Sequence, residues 1–258
     1  MSHNVFMDTY LPEKNLKNKV ILVTGSARRI GADIVKNLHS NGANVAIHYR
    51  SSKNEAKKLS CKLNKLRPNS ASTFDGDLSN TIDITKLVDS VIEWYGRLDG
   101  LVNNASTFYP TPFGTITEHD WNEIFSSNLK GPLFLAQAAA PHLRKKNGNI
   151  INIIDIYSKK PLLNHSLYCS AKAGLAMLTR SLAKDLAPEI RVNGVSPGAI
   201  IWPENEMDEI NKKNILQQIP LKRSGETSDI SRCILYLMRD ASYVTGQIIA
   251  VDGGRSID

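Results

Sequence analysis

Apolar residues come in short continuous runs, separated by stretches with helical spacing. Val20-Ile21-Leu22-Val23 is the first run, closed by Thr24-Gly25. A run this short, bounded by a turn residue, reads as a buried strand. Over 29–38 the period changes: Ile30, Ile34, Val35 and Leu38 share one helical face, and Asn41-Gly42 supplies a stop. The same change of period recurs along the chain. It predicts further strands at 44–47, 71–74, 98–102, 149–154, 191–195 and 247–251. Between them it predicts a polar helix ending before Pro68 and helices at 83–95, 121–143, 171–186 and 229–239. The strands are apolar throughout instead of alternating, which is expected when helices cover both sheet faces. Alternating strands and helices imply right-handed βαβ crossovers and a doubly wound α/β domain with a parallel sheet of about seven strands. No linker, repeat or low-complexity tract interrupts the pattern, so residues 18–258 are expected to be one domain. Residues 1–17 are polar without a clear period and are read as an N-terminal extension.

Composition narrows the class. The chain has 258 residues, 41% hydrophobic and 22% charged, which excludes a disordered, fibrous or collagen-like protein. No apolar run approaches the ~20 residues of a membrane span. The start, Met1-Ser-His-Asn-Val-Phe-Met-Asp8, lacks a basic segment followed by an apolar core, so no signal peptide is expected. Cys61, Cys169 and Cys233 are far apart and form no CxxC pair. They are expected to be reduced thiols in a cytoplasmic protein, not a disulfide set or a zinc site. The net charge is +7, but the lysines are dispersed over helix faces (Lys57, Lys58, Lys62 and Lys65; Lys145 and Lys146). Solvated helix faces explain them, and with no recognition motif nucleic acid is the weakest partner. An anionic small ligand would use only a few of these charges.

Ligands of such sheets bind beyond the carboxyl ends of the strands. There, Thr24-Gly-Ser-Ala-Arg-Arg-Ile-Gly31 links the first strand to the first helix. Gly25 permits a tight turn, Gly31 allows helix and sheet to approach, and the helix N-terminus offers N–H groups to a phosphate. It reads as the phosphate loop of a Rossmann domain, with Arg28, Arg29 and Ile30 beside the ligand; a glycine-rich turn with a surface arginine is the plain alternative. It departs from the usual Gly-rich loop in having Arg29 where a central glycine is expected. The end of the second strand decides between dinucleotides. Ala46-Ile-His48-Tyr49-Arg50-Ser51-Ser52 offers no carboxylate for a ribose 2′-hydroxyl. Arg50 can instead pair with a 2′-phosphate, helped by the serine hydroxyls, so NADPH is expected over NADH. Asp77, followed by Leu78, can accept from an adenine amino group or simply cap the next helix. Asn103, Asn104 and Ala105 close the fourth strand, where the asparagines can hold the groove open or form an Asx turn.

Tyr168 and Lys172 stand at i and i+4, one turn apart on a helix face. An ammonium near a phenol stabilises the phenolate and makes the tyrosine a usable acid or base. The pair follows the fifth strand, on the same sheet edge as the glycine loop. Asp155 ends that strand, and Asn128 interrupts the 121–143 helix, from where it can tie a proton relay to Lys172.

These residues together resemble the short-chain dehydrogenase/reductase family, from about Lys19 to Ser256. The Thr-Gly loop, Asn103-Asn104-Ala105, Asn128, Tyr168/Lys172, Ser196-Pro197-Gly198 and Val251-Asp252-Gly253-Gly254 carry the resemblance. It implies hydride transfer with a nicotinamide cofactor, Tyr168 as proton donor, Lys172 as ribose binder and pKa tuner, Asn128 in the relay, Pro197 and Gly198 beside the cofactor, and a homotetramer. Two departures stand out. Arg29 replaces the second glycine of TGxxxGxG, and Asp155 occupies the place of the catalytic serine, thirteen positions before the tyrosine. Both are similar to the pteridine reductase subgroup, which has TGxxxRxG and Asp-Tyr-Lys. The subgroup resemblance implies that His48, Tyr49, Arg50 and Ser51 clamp NADPH and that Phe108 stacks on a pterin. Ser106 would bind cofactor or pterin, Arg29 would touch phosphate or the pterin edge, and Trp202 would stand near the pocket mouth. A flat heteroaromatic ring needs an aromatic platform in any case; ordinary packing is the plain alternative for Phe108 and Trp202.

The reading is an NADPH-dependent reductase of dihydropterins (dihydrobiopterin or dihydromonapterin, with dihydrofolate a further candidate). A carbonyl reductase such as a 3-oxoacyl-thioester reductase is the first alternative, and a non-catalytic NADPH-binding sensor or scaffold the second. His119, His142 and His165 show no metal-ligand spacing, although His165 lies near enough to touch substrate. Segment 202–218 is read as a flap over the substrate.

Overall fold

A computed structural model of the chain describes residues 15–200 and 209–257. Its sheet has seven parallel strands in the order β3-β2-β1-β4-β5-β6-β7. In chain order the first half runs β1 (Val20–Val23), α1 (Arg29–Ser40), β2 (Asn44–Tyr49), α2 (Lys53–Leu66), β3 (Ala71–Asp75), α3 (Thr81–Tyr95) and β4 (Gly100–Asn103). The second half adds α4 (Glu118–Phe125), α5 (Gly131–Arg144), β5 (Asn149–Ile153), α6 (Ser166–Asp185), β6 (Arg191–Pro197), α7 (Glu209–Gln217), α8 (Thr227–Arg239) and β7 (Ile248–Val251).

Successive side chains of a strand leave opposite faces of the sheet, and here both faces are covered. Ile21 and Val23 pack with the apolar faces of α1, α2 and α8, while Val20 and Leu22 pack with those of α3, α5 and α6. That is why the strand sequences are continuous apolar runs. Leu16, within the segment read as an extension, is buried in the first of these layers, its N–H donating to the Asn41 carbonyl.

Three local differences from the sequence pattern have physical causes. The helix expected over 121–143 is two helices joined by a π-helical turn, Ser126–Lys130. Pro132 brings no N–H, and Gly131 packs so tightly that a Cβ there would stand 3.1 Å from the Leu78 carbonyl oxygen. α6 begins at Ser166, ahead of its most regular apolar stretch. α7 was unexpected as a helix, its apolar positions being too few to form a stripe. Trp202 and the first part of the expected flap lie outside the described residues.

Strand order reverses between β1 and β4, which lie side by side while their connections run in opposite directions. The carboxyl ends of these strands open the crevice in which such sheets bind ligands.

Candidate active site

The turn after β1 is held from three directions. Gly25 has φ +59°, and a Cβ there would stand 2.9 Å from Ala105 Cα. Gly31 is equally constrained: a Cβ would meet Asn104 Nδ2 and the Gly25 carbonyl oxygen, each at 2.6 Å. Thr24 Oγ1 accepts from the backbone N–H of Asn104 (2.9 Å) and Ala105 (3.0 Å), and Asn104 Nδ2 donates to the Thr24 carbonyl at 2.9 Å. The asparagine after β4 therefore clamps the loop after β1. Asn103 points elsewhere, donating to Asn152 Oδ1 at 2.8 Å inside the sheet.

His48 supplies the third hold. The Gly25 N–H donates to His48 Nδ1 at 3.0 Å, and His48 Nε2 lies 3.1 Å from the Gly76 carbonyl oxygen. A carbonyl only accepts, so Nε2 carries the proton and the ring is neutral. Burial pushes its pKa down to about 4, against the opposing pull of the Gly76 carbonyl and of Asp75 and Asp77. Both ring nitrogens are thus spent inside the protein. The imidazole braces the loop against β2 and β3, and His48 also lines the cleft.

Arg29, the first residue of α1, has φ +53°. This left-handed conformation suits glycine or asparagine and costs a larger side chain about 1 kcal/mol. Of the six described non-glycine residues with positive φ, four are asparagines. Arg29 is therefore held in a strained backbone, with an exposed side chain at the wall of the crevice. Arg28 also reaches that wall, and its guanidinium lies 3.8 Å from Glu55 of α2.

The crevice is a cleft of about 1650 Å³. Pockets for single drug-sized ligands run to roughly 1,000 Å³, so there is room for a dinucleotide and a second ring. Its wall includes Gly25 and the turn residues Ala27 to Gly31, the stretch from His48 to Ser52 at and beyond the end of β2, and Asp77 with Leu78. It also includes Asn104, Ala105 and Ser106, and beyond β6 Pro197 and Gly198. Asp77 does not cap α3; Asn80 does, accepting from the Ile82 N–H at 2.9 Å. One Asp77 oxygen accepts from the Ser79 N–H at 2.9 Å, and that bond, with help from the Ser79 hydroxyl and Arg50, keeps the carboxyl below its usual range.

At the other half of the cleft stand Asp155, Tyr168 and Lys172. Tyr168 Oη donates to Asp155 Oδ2 at 2.9 Å, and Asp155 Oδ1 accepts from the Tyr157 N–H at 3.0 Å. Lys172 is fully buried, donates from Nζ to the Ile153 carbonyl at 2.9 Å and lies 5.6 Å from the centre of the Tyr168 ring. Burial brings the Lys172 pKa down to about 8, with Asp155 pulling the other way. Burial also raises Asp155, opposed by the Tyr157 N–H and Lys172. Tyr168 is pushed well above its ordinary value, first by burial and then by the Asp155 carboxylate beside it. The carboxylate, and not the ammonium, is hydrogen-bonded to the phenol.

Asn128, fully buried in the π-helical turn, donates from Nδ2 to the carbonyls of Thr107 (2.9 Å) and Ile124 (3.0 Å), and its Oδ1 accepts from the Ser106 hydroxyl at 2.7 Å. Its side chain is thus tied to Ser106, across the cleft wall from Lys172. Phe108 is 51% exposed; its ring stacks on His165 (4.7 Å, 17°) and meets Tyr168 edge-on (4.7 Å, 75°). His165, Tyr157, Leu162 and Arg255 also line this half. Sequence reasoning did not place Tyr157, Leu162 or Arg255 here; their only signal was nearness to Asp155 or to the chain end. No group of three or more His, Cys, Asp or Glu side chains among the described residues is placed to hold a metal.

Comparison with known proteins agrees with this geometry. A family model described as Enoyl-(Acyl carrier protein) reductase matches residues 25–256. Pteridine reductase 1 of Leishmania tarentolae is 36% identical over 279 residues, covering 92% of this chain and 96% of that protein. The 3-oxoacyl-[acyl-carrier-protein] reductase FabG of Staphylococcus epidermidis is 34% identical over 243 residues, covering 92% of this chain and 98% of its own length. Among solved structures, a blue fluorescent protein from a metagenomic library in complex with NADPH superposes with a TM-score of 0.88. It has 34% identity and covers 94% of this chain and 99% of that one.

Proposed function

Since the chain belongs to the short-chain dehydrogenase/reductase family, we propose that it is an NADPH-dependent pteridine reductase, converting dihydropterins to their tetrahydro forms. The observation that carries this reading is the contact of Asp155 with Tyr168 at 2.9 Å. A serine at that place would only donate a hydrogen bond to a ketone. A carboxyl paired with a phenol can hold a proton for a ring nitrogen. The likeness to a pteridine reductase supports the same reading, whereas the likeness to a 3-oxoacyl reductase supports carbonyl chemistry.

The cleft fits a nicotinamide dinucleotide. Gly25 leaves space that a Cβ would fill, the start of α1 points N–H groups toward it, and the end of β2 presents Arg50 and Ser51 without a carboxylate. NADPH, when bound, supplies the hydride. Arg50, with Ser51 and Ser52, would hold the 2′-phosphate, Asp77 would accept from the adenine amino group, and Lys172 would bind the nicotinamide ribose. Tyr168 Oη and the Asp155 carboxyl would hold the proton that reaches the reduced ring's nitrogen through water. Phe108 would support the flat ring, and Arg29 and Ser106 would bind its edge. Trp202 would close the mouth. A homotetramer, which the family resemblance implies, would bury exposed apolar side chains such as Leu133 on α5 and Met177 on α6. No described helix is long and apolar enough to cross a membrane, and a cytoplasmic setting with Cys61, Cys169 and Cys233 reduced completes the reading.

The test is NADPH consumption by the purified protein with dihydrobiopterin, dihydromonapterin or dihydrofolate, beside an acetoacetyl thioester. Turnover of a pterin and none of the thioester is expected; the reverse overturns the substrate assignment in favour of a carbonyl reductase. Binding of NADPH with no turnover of either would favour a sensor or scaffold. Arg50→Gln is expected to raise KM for NADPH roughly 10- to 100-fold, the worth of a charge-assisted bond to phosphate. KM for NADH, measured alongside, stays within about twofold.

A further inference from the structure

Arg255 stands at the opposite end of the cleft from the other arginines. Arg28, Arg29 and Arg50 follow β1 and β2, Asp155 follows β5, and Arg255 follows β7, two strands farther along the sheet edge. Its guanidinium lies 5.8 Å from the centre of the Tyr157 ring, which shares the cleft wall. The Tyr157 N–H is itself bonded to Asp155. The segment that carries Arg255 is well anchored. The Asp252 carboxylate accepts from the N–H groups of Gly254 (2.9 Å) and Ser256 (2.7 Å). Gly253 and Gly254, both with positive φ, pack so closely on Ile219 and Pro220 that a Cβ would stand within 3 Å of them.

None of the ion pairs among the described residues involves Arg255. Its charge reaches Asp155, where it favours the ionised carboxyl. A half-buried guanidinium seated on an aromatic ring, without a carboxylate partner among the described residues, is matched to an anion brought by a ligand. The phosphates of a dinucleotide belong to the other end of the cleft, at the glycine turn. Strand spacing puts the ends of β5 and β7 about 10 Å apart. The Arg255 side chain spans part of that gap toward Tyr157, so a tail leaving a flat ring at Asp155 and ending in a carboxylate would meet the guanidinium. We infer that Arg255 selects substrates whose pteridine carries a carboxylate tail, as in folates, over those with short neutral side chains. This inference rests on the pterin reading above.

The test compares kcat and KM for dihydrofolate and dihydrobiopterin in the wild-type protein, Arg255→Gln and Arg255→Lys, with NADPH affinity as the control for folding. In Arg255→Gln, kcat/KM for dihydrofolate is expected to fall 10- to 100-fold more than that for dihydrobiopterin, the extra loss lying in KM, while the smaller change common to both substrates reads the charge lost near Asp155. Arg255→Lys, which keeps the charge but loses the planar fork, should fall between. Should Arg255→Gln not bind NADPH, Arg255→Lys carries the same comparison. Equal losses for both substrates, or none for either, overturn the role of Arg255 and leave the reductase reading standing. A wild-type protein that turns over neither pterin overturns the reading and this inference with it.

Discussion

Asp155→Ser is expected to lower kcat for a dihydropterin roughly 10²- to 10³-fold, within the range a positioned acid contributes, while NADPH affinity changes less than about twofold. The fold should survive the change, because the Asp155 oxygen that caps the turn after β5 accepts from the Tyr157 N–H, and a serine hydroxyl can accept there too. What serine cannot do is hold a second proton beside Tyr168. Asp155→Asn separates these contributions further: it keeps the shape and can still accept from the Tyr157 N–H, but it removes the titrating group and turns the acceptor facing Tyr168 into a donor. Steady-state rates with both variants, beside NADPH titration, decide the matter. Undiminished pterin turnover in either variant would remove Asp155 from the chemistry, and a gain of thioester reduction in Asp155→Ser would show how near the ketone reaction lies.

The second large effect concerns stability. Burial holds His48 neutral, with its pKa lowered from 6.5 to about 4. A group that resists protonation in the folded state stabilises the protein fully above its unfolded value. That stability drains away as pH falls from about 6.5 toward 4. The full difference corresponds to about 3 kcal/mol. Denaturant unfolding followed at pH 7 and stepwise down to pH 4 should show a loss of this order. His48→Gln, which can still accept and donate, should be less stable at neutral pH but lose less on acidification. An unchanged slope in that variant would assign the acid sensitivity to other groups. The bonds lost on protonation include the Gly25 contact, so NADPH binding should weaken over the same window.

The two covering layers, the parallel sheet and the cleft were legible because each strand sends alternate apolar side chains to two covered faces, and because glycines mark the turns. Arg28, Arg29, Asp77, Ser106 and Phe108 all reach the cleft wall as their positions after the strands suggested. Less legible was the direction in which a polar side chain points. Asn128 could be placed at the interruption of a helix, yet only packing decides that its amide turns to Ser106 and Thr107. Likewise the i, i+4 spacing of Tyr168 and Lys172 is true of any helix. That Asp155, from another element, reaches the phenol first depends on how β5 ends. Arg255 had no local pattern to announce it, since a residue beyond the last strand joins the site only once the sheet has formed.

The backbone of Arg29 also bears on how the protein can change over generations. A glycine would relax the left-handed conformation at the head of α1, and few nucleotide changes separate arginine codons from glycine codons. Mutation alone would therefore erode this arginine, with folding offering no resistance. Its persistence in a lineage would record continued demand for whatever the guanidinium binds, and its loss would be an early sign that the demand had lapsed.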